Sequence, residues 1–358
     1  VLRPRLVWHR VHARIPASRD SLEYTVFNME SSAAEDAFVQ AIQRLVADSG
    51  RPSPAKTGPT GLLAEGIGIG DDAALLLGAP RGGFVLSVDE QMEGQHFRRR
   101  WASPAAIGRR AAGSALSDLA AMGATPRAAL LALAIPDGDA GIALDAVAAF
   151  VETLQQFDCE LVGGNLTKGP VLRFATTVVG DVEPARALRR DAGRPGHRLW
   201  LSGLLGRSAL AFKLLEEGLG QPADQALIER YLAPQPKLSL GLSLGALPGS
   251  APAAMDLSDG LLRDLTRLAR ASGLSALIED SGIAHPGLAD SCARLELTPR
   301  LLALSSGEEY ELLIAAEPSQ ELGELGCHLI GELVEGPPGE IRERSGQVIE
   351  SAGFDHLA

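Results

Sequence analysis

The stretch GIGIGDDAALL, residues 66–76, sets two adjacent aspartates, Asp71 and Asp72, between a glycine-rich turn and an apolar run that reads as a strand. Neighbouring carboxylates repel one another and lose hydration on burial. Such a pair is tolerated where it faces water, caps a turn or shares a cation. The apolar run AALLLG (73–78) and the following GFVLSVD (83–89) both read as short strands, the second ending in Asp89.

Outward from these strands, the chain alternates between helical and extended patterns. Upstream, residues 31–50 read as a helix with Gly50 past its end, followed by a Pro/Gly loop at 51–63. Downstream, Ser103 and Pro104 make a good helix start, and that helix runs to Gly123. A second helix covers about 141–157, then come strands CELVGG (159–164) and VLRFATTVVGDV (171–182). Arginine, glycine and proline cluster at 189–196, where the pattern restarts. This divides the chain into an extension at 1–28, an N-terminal domain at 29–188 and a C-terminal domain at 189–358. The second half offers strands at 198–203, 274–279, 309–316 and 327–336, with helices at 208–217, about 223–232 and 261–273. The expected class is α/β or α+β in two domains.

Composition narrows the function. The 358 residues carry a formal charge of −12, which argues against nucleic acid and anionic membrane as partners, since both require a basic field. Hydrophobic residues make up 46% of the chain, with no apolar run near the roughly 20 residues that span a bilayer. Cys159, Cys292 and Cys327 are widely spaced with no CxxC pair, as expected in a reducing, cytoplasmic compartment without a disulfide framework or zinc site. Residues 1–28 hold five arginines against two acids and no apolar h-region, so a secretory signal is not expected and the segment is expected to be poorly ordered.

Several acids stand where chemistry is usually placed. Asp118 shares a helical face with Ala111, Ala115 and Met122, so it either points inward to a cation or donor or that face is exposed. Asp89 either forms a turn or serves a site at a strand end. Asp256 and Asp259 flank Ser258 before a helix, and an N-cap needs only one of them. His96 contacts an anion or fills a gap. GGNLTKG (163–169) reads as a Gly-Gly turn whose amides could meet an anion, and Glu308 and Glu309 precede a strand in a loop. Carboxylates converging from scattered segments, with no His or Cys at ligand spacing, suit hard cations such as Mg²⁺, and such cations align phosphates. Phosphoryl transfer or phosphate-ester cleavage is the expected chemistry. The P-loop, protein-kinase and Rossmann signatures are missing from the sequence.

GIGDDAALL, SVDEQMEGQHF, SDLAAMGATP, LVGGNLTKG, DLSDGL, SGEEYELL and the terminal GFDHLA, in this order, resemble the thiamine-monophosphate kinase family, from about residue 33 to the C-terminus. That family belongs to the superfamily of the aminoimidazole-ribotide and selenophosphate synthetases. The resemblance implies transfer of the ATP γ-phosphoryl group to thiamine monophosphate with several Mg²⁺ ions, a homodimer formed through the N-terminal sheet, and a site between the domains. It implies that Asp71, Asp72, Ser87, Val88 (through its carbonyl), Asp89, Asp118, Asn165, Asp256 and Asp259 hold metal. Gly164, Asn165, Arg190 and Ser258 would touch ATP, and His96, Glu308 and Phe354 the thiamine phosphate. Asp72, Asp118 and Arg190 would carry catalysis.

The chain departs from the family pattern at Asn165, where an acid is usual, at Val88, and at Ser306 and Glu309, which add bulk beside the expected substrate pocket. Three other readings stay open: a sister ATP-dependent synthase, against which Cys159 lies outside any N-terminal glycine-rich loop; a nucleotide or thiamine-phosphate binder without turnover; and a metal-dependent phosphatase.

Overall fold

The structure is a computed structural model and describes residues 74–79, 82–279 and 282–349. The helix expected at 31–50, Asp71, Asp72 and Phe354 lie outside the described residues.

The first sheet has five strands: β1 (Ala74–Ala79), β2 (Gly82–Met92), β3 (Thr125–Ile135), β4 (Glu160–Lys168) and β5 (Arg173–Val182), in the order β1-β2-β5-β3-β4. All neighbours are antiparallel except β3 and β4, which run parallel and are joined across helix α2 (Ala140–Gln155). Helix α1 (Pro104–Ala121) begins where Ser103 Oγ accepts the Ala106 N–H at 3.2 Å, with Pro104 supplying a pre-set φ. It stops at Gly123, whose φ of +64° only glycine adopts readily. The small residues of α1 permit close approach on several sides. A Cβ at Gly108 would lie 1.9 Å from the Ala146 carbonyl oxygen of α2.

The strand β3 was not anticipated, because TPRAALLALAI is rich in Ala and Leu, which carry no strand preference of their own. Its partners decide it: β5 and β4 flank it on both sides. Strand β2 also runs past its expected end at Asp89 to Met92, since β5 continues to pair with it there.

The second sheet has six strands: β6 (Arg198–Leu201), β7 (Ala253–Asp256), β8 (Ser275–Ile278), β9 (Leu312–Ala316), β10 (His328–Val334) and β11 (Ile341–Glu343), in the order β11-β8-β10-β6-β9-β7. Helices α3 (Arg207–Glu217), α4 (Gln225–Leu232), α5 (Leu238–Gly245), α6 (Leu261–Ala271), α7 (Ala289–Arg294) and α8 (Pro299–Ser305) complete it. Each sheet lies on its own side of residue 189. One buried cluster nevertheless joins Val85, Leu119 and Phe174 of the first half to Trp200, Ala254 and Ile314 of the second. Helix α1 mediates this union, packing on β2, β3 and β5 to one side and on α5 and β7 to the other. No helix among the described residues is long and apolar enough to cross a membrane.

Alternation along β2 sends Val85 into this core and leaves Phe84 and Val88 exposed on the opposite face. Cross-strand pairing sets Leu86 beside Val179 and Leu130 beside Thr177, and Leu130 is exposed too. The outer face of the first sheet is therefore apolar and, within one chain, uncovered at these positions.

Candidate active site

A cleft of about 630 Å³ lies where α1 meets both sheets. Ser87, Val88, Asp89, His96, Asp118, Arg190, Asp256, Ser258, Asp259 and Glu308 all line it. These residues come from separate segments, and the strand and helix geometry explains how they meet. Ser87 and Asp89 are two positions apart on β2 and so share the face that carries Val85. Ser87 donates its hydroxyl to Asp118 Oδ2 on α1, which shows that Asp118 points inward. Val88 falls between them and turns its side chain outward, leaving its backbone toward the cleft.

The other wall is built by two loops. Strands β7 and β9 pair antiparallel with Asp256 opposite Leu312, so the loops at their ends run side by side. Backbone bonds stitch them: Glu308 N–H donates to Ser258 O at 2.7 Å, and Tyr310 N–H to Leu257 O at 2.9 Å. Glu308 and Tyr310 take positive φ values of 56° and 51°. Glu308 was expected in a loop before the strand, as found, but the strand expected at 309–316 starts only at Leu312, which leaves Tyr310 in that loop too. Left-handed backbone at two bulky residues is costly and persists only where surroundings over-determine it.

Below the Asp256–Asp259 loop sits Asp264, fully buried in the first turn of α6. Its Oδ2 accepts the N–H groups of Asp259 (3.0 Å) and Gly260 (3.1 Å), and Arg267 pairs with both Asp259 and Asp264. Burial first, then the nearby Asp259 charge, pushes the Asp264 carboxyl up to about 7, against the pull of Arg267. Ser272 Oγ from the end of α6 donates to Arg190 O at 2.7 Å, holding the segment that brings Arg190 to the cleft. His96 Nδ1 accepts the Met92 N–H at 3.0 Å, which leaves Nε2 as the donor of the neutral ring.

Two expected residues are not brought here. GGNLTKG is not a turn: β4 runs through it, and neither Gly164 nor Asn165 lines the cleft. A Cβ at Gly164 would lie 1.9 Å from Leu131 O, so the glycine is required for close pairing with β3. The departures at Ser306 and Glu309 also have a different role from the one expected. Glu309 is buried and accepts the N–H groups of Gly206 (2.7 Å) and Ser208 (3.1 Å) and the Ser306 hydroxyl (2.7 Å). Ser306 Oγ in turn accepts the Ala209 N–H at 3.0 Å. Together they cap the first turn of α3 from a distant loop, and neither lines the cleft. Burial pushes the Glu309 carboxyl up, opposed by these hydrogen bonds.

Among the side chains lining the cleft are the hydroxyl of Ser87 and the carboxylates of Asp89, Asp118, Asp256 and Asp259, oxygen donors of the kind preferred by hard cations. Asp89 Oδ1 accepts the Glu90 N–H at 2.7 Å, while its buried Oδ2 has no hydrogen-bond partner among the described residues. A buried carboxylate oxygen without a partner is costly and fits a cation's ligand. Among the described residues no group of three His, Cys, Asp or Glu side chains could hold a metal alone. The cysteines offer no nucleophile: burial pushes the thiols of Cys159 and Cys327 up to about 11.

Comparison with known proteins agrees with this arrangement. Residues 70–182 match the family model described as AIR synthase related protein, N-terminal domain. The chain is 35% identical over 305 residues to the thiamine-monophosphate kinase of Synechococcus elongatus, an alignment spanning 80% of this chain and 91% of that one. The chain belongs to the thiamine-monophosphate kinase family. It is 34% identical to the Escherichia coli K12 family member, over 82% of this chain and 92% of that one. A solved structure of AaThiL complexed with AMPPCP and TMP superposes with a TM-score of 0.78 at 27% identity, covering 90% of this chain and 96% of that chain. The mixed α/β fold with two sheets is the fold of this family.

Sequence reasoning had overlooked Asp264, Arg267, Arg110 and Tyr231. An acid just inside a helix start, as in SDGLLRD, is a recognisable capping signal for Asp264. Arg110 and Tyr231 carry no such local signal. They meet one another across more than a hundred positions of chain.

Proposed function

We propose that this chain transfers the terminal phosphoryl group of ATP to the phosphate of thiamine monophosphate, releasing ADP and thiamine diphosphate. The observation that carries the reading is the meeting of Ser87, Asp89, Asp118, Asp256 and Asp259 in one cleft, in a chain of the thiamine-monophosphate kinase family. The acceptor is a phosphate oxygen already ionised near neutral pH, so no strong general base is needed. The difficulty is to bring two anions together in line.

Asp89, Asp118, Asp256 and Asp259, with Ser87 and the Val88 carbonyl, are the residues proposed to hold Mg²⁺. Asp71 and Asp72 join them on sequence alone. When bound, the ions neutralise and align the phosphates. Arg190 supplies further positive charge to the phosphoryl groups. Ser258 contacts the nucleotide. The Nε2 donor of His96 and the carboxylate of Glu308 contact the acceptor. Gly164 and Asn165, away from the cleft, are left out of this site.

The outer face of the first sheet, with Phe84, Val88 and Leu130 exposed, supports a homodimer assembled through that face. The segments 29–188 and 189–358 are proposed as the two domains.

Purified protein incubated with ATP, Mg²⁺ and thiamine monophosphate tests the reading. Stoichiometric ADP and thiamine diphosphate are expected, both lost on chelation. ADP with free phosphate and no thiamine diphosphate would instead identify a phosphatase.

A further inference from the structure

Arg110 is the largest fully buried side chain among the described residues, with 1% of it exposed. A charge so placed must be paired, because an isolated guanidinium in the interior costs several kcal/mol. Its partners are unusual in coming from both halves of the molecule. Nε donates to Gln91 Oε1 of β2 at 2.9 Å, and one terminal nitrogen to the Tyr231 carbonyl of α4 at 2.6 Å. The other terminal nitrogen pairs with Glu308 Oε1. The guanidinium also lies 4.3 Å from the centre of the Tyr231 ring. Tyr231 closes the arrangement by donating its hydroxyl to Glu308 Oε2 at 3.0 Å.

Both oxygens of Glu308 are thus tethered from behind, one by a buried cation and one by a buried phenol. The carboxylate keeps partial exposure, with 27% of its side chain accessible at the cleft wall. An ionised carboxylate has about four acceptor positions. Arg110 and Tyr231 occupy one on each oxygen, which leaves acceptor capacity facing the cleft. The direction of the Glu308 side chain is set by these two tethers, from Arg110 and Tyr231.

We propose that Arg110 is a positioning residue: from the N-terminal half it holds the Glu308 carboxylate, together with the Tyr231 hydroxyl, in the orientation that recognises the organic, nitrogen-bearing half of the acceptor. This rests on the reading that Glu308 contacts thiamine monophosphate. The chemistry that such a carboxylate selects is an N–H donor or a cationic ring, and thiamine carries both an amine and a thiazolium. The nucleotide is engaged elsewhere, by Arg190 and Ser258, so Arg110 governs one substrate and not the other.

Four variants of the full chain test this: Arg110→Lys, Tyr231→Phe, Glu308→Gln and the double variant Arg110→Lys/Glu308→Gln. Lysine keeps the buried charge but loses the planar fork, and Tyr231→Phe removes only the hydroxyl, so at least one of them is expected to retain the fold, as circular dichroism will show. Steady-state assays measure KM for thiamine monophosphate, KM for ATP and kcat separately, and calorimetry measures thiamine monophosphate binding without turnover.

Arg110→Lys is expected to raise KM for thiamine monophosphate about tenfold, as for loss of one charge-assisted hydrogen bond, with KM for ATP and kcat within about twofold. Tyr231→Phe should act in the same direction, and Arg110→Lys should add little in the Glu308→Gln background. Equal rises in both KM values, or full additivity of Arg110→Lys with Glu308→Gln, overturn the proposal. If the wild type forms no thiamine diphosphate, the kinase reading fails, and calorimetry still decides here. Weaker binding by Arg110→Lys supports the positioning role, indistinguishable binding overturns it, and no binding by the wild type overturns both.

Discussion

Asp264 reaches neither substrate nor cleft, yet its removal should disable the site. In Asp264→Ala, the N–H groups of Asp259 and Gly260 lose their acceptor in a region from which water is excluded. Each orphaned buried amide costs about 1–3 kcal/mol, so the two together cost about 2–6 kcal/mol. Against this stands the relief of no longer burying a carboxyl whose ionised form burial disfavours. A net loss of about 3 kcal/mol follows, a large part of an ordinary stability. Asp264→Asn keeps an acceptor oxygen for the amides and loses only the pairing with Arg267, so about 1 kcal/mol is expected. Urea unfolding monitored by tryptophan fluorescence reads both values. Because the same amides hold the loop that carries Asp256, Ser258 and Asp259, Asp264→Ala should also raise KM for ATP well below its melting temperature, while KM for thiamine monophosphate moves less. A fully stable Asp264→Ala, or a destabilised one with wild-type ATP kinetics, would refute this account.

Four further outcomes follow from other contacts. Asp118→Asn keeps an oxygen for Ser87 and the same shape, so the fold should survive by circular dichroism while kcat falls by about two orders of magnitude or more. Ser306→Gly and Glu309→Asp should each cost about 1–2 kcal/mol in thermal or urea unfolding, and the double variant less than their sum, because both serve the first turn of α3. Leu130→Arg places a charge on the exposed apolar face of the first sheet, and light scattering should report a dimer for the wild type and a single-chain mass for the variant. His197 is buried, and burial lowers its imidazole below the ordinary value of about 6.5, so the unfolded chain binds more protons there. Stability should fall as pH drops below about 6.5, and His197→Gln should flatten that slope in denaturant titrations.

Local signals in the chain were enough to announce several elements and most of the cleft. The start of α1 at Ser103 and Pro104 and its stop at Gly123 are written in residues that act on their own backbone. The same holds for the inward lean of Asp118, since helical spacing alone puts it beside Ala111 and Ala115. Scattered aspartates with no histidine or cysteine at ligand spacing pointed to oxygen-seeking cations and phosphate chemistry before any fold was known. By contrast, β3 was illegible because its alanines and leucines express no preference until β4 and β5 lie on both sides. Glu309 looked like bulk beside a pocket and proved to be a helix cap, since its partners in α3 are about a hundred residues away.

What the sequence settled unaided was therefore local geometry, where single helices begin and end, while for the cleft it supplied candidate side chains. Tertiary structure alone decided which of those side chains meet. It left Gly164 and Asn165 on an edge strand away from the cleft, set Asp264 beneath the Asp259 loop, and drove Arg110 into the interior against Glu308. The physical reason is range. A cap or a helical face depends on neighbours a few residues away. A buried charge is placed by the partner that compensates it, and that partner can lie anywhere along the chain.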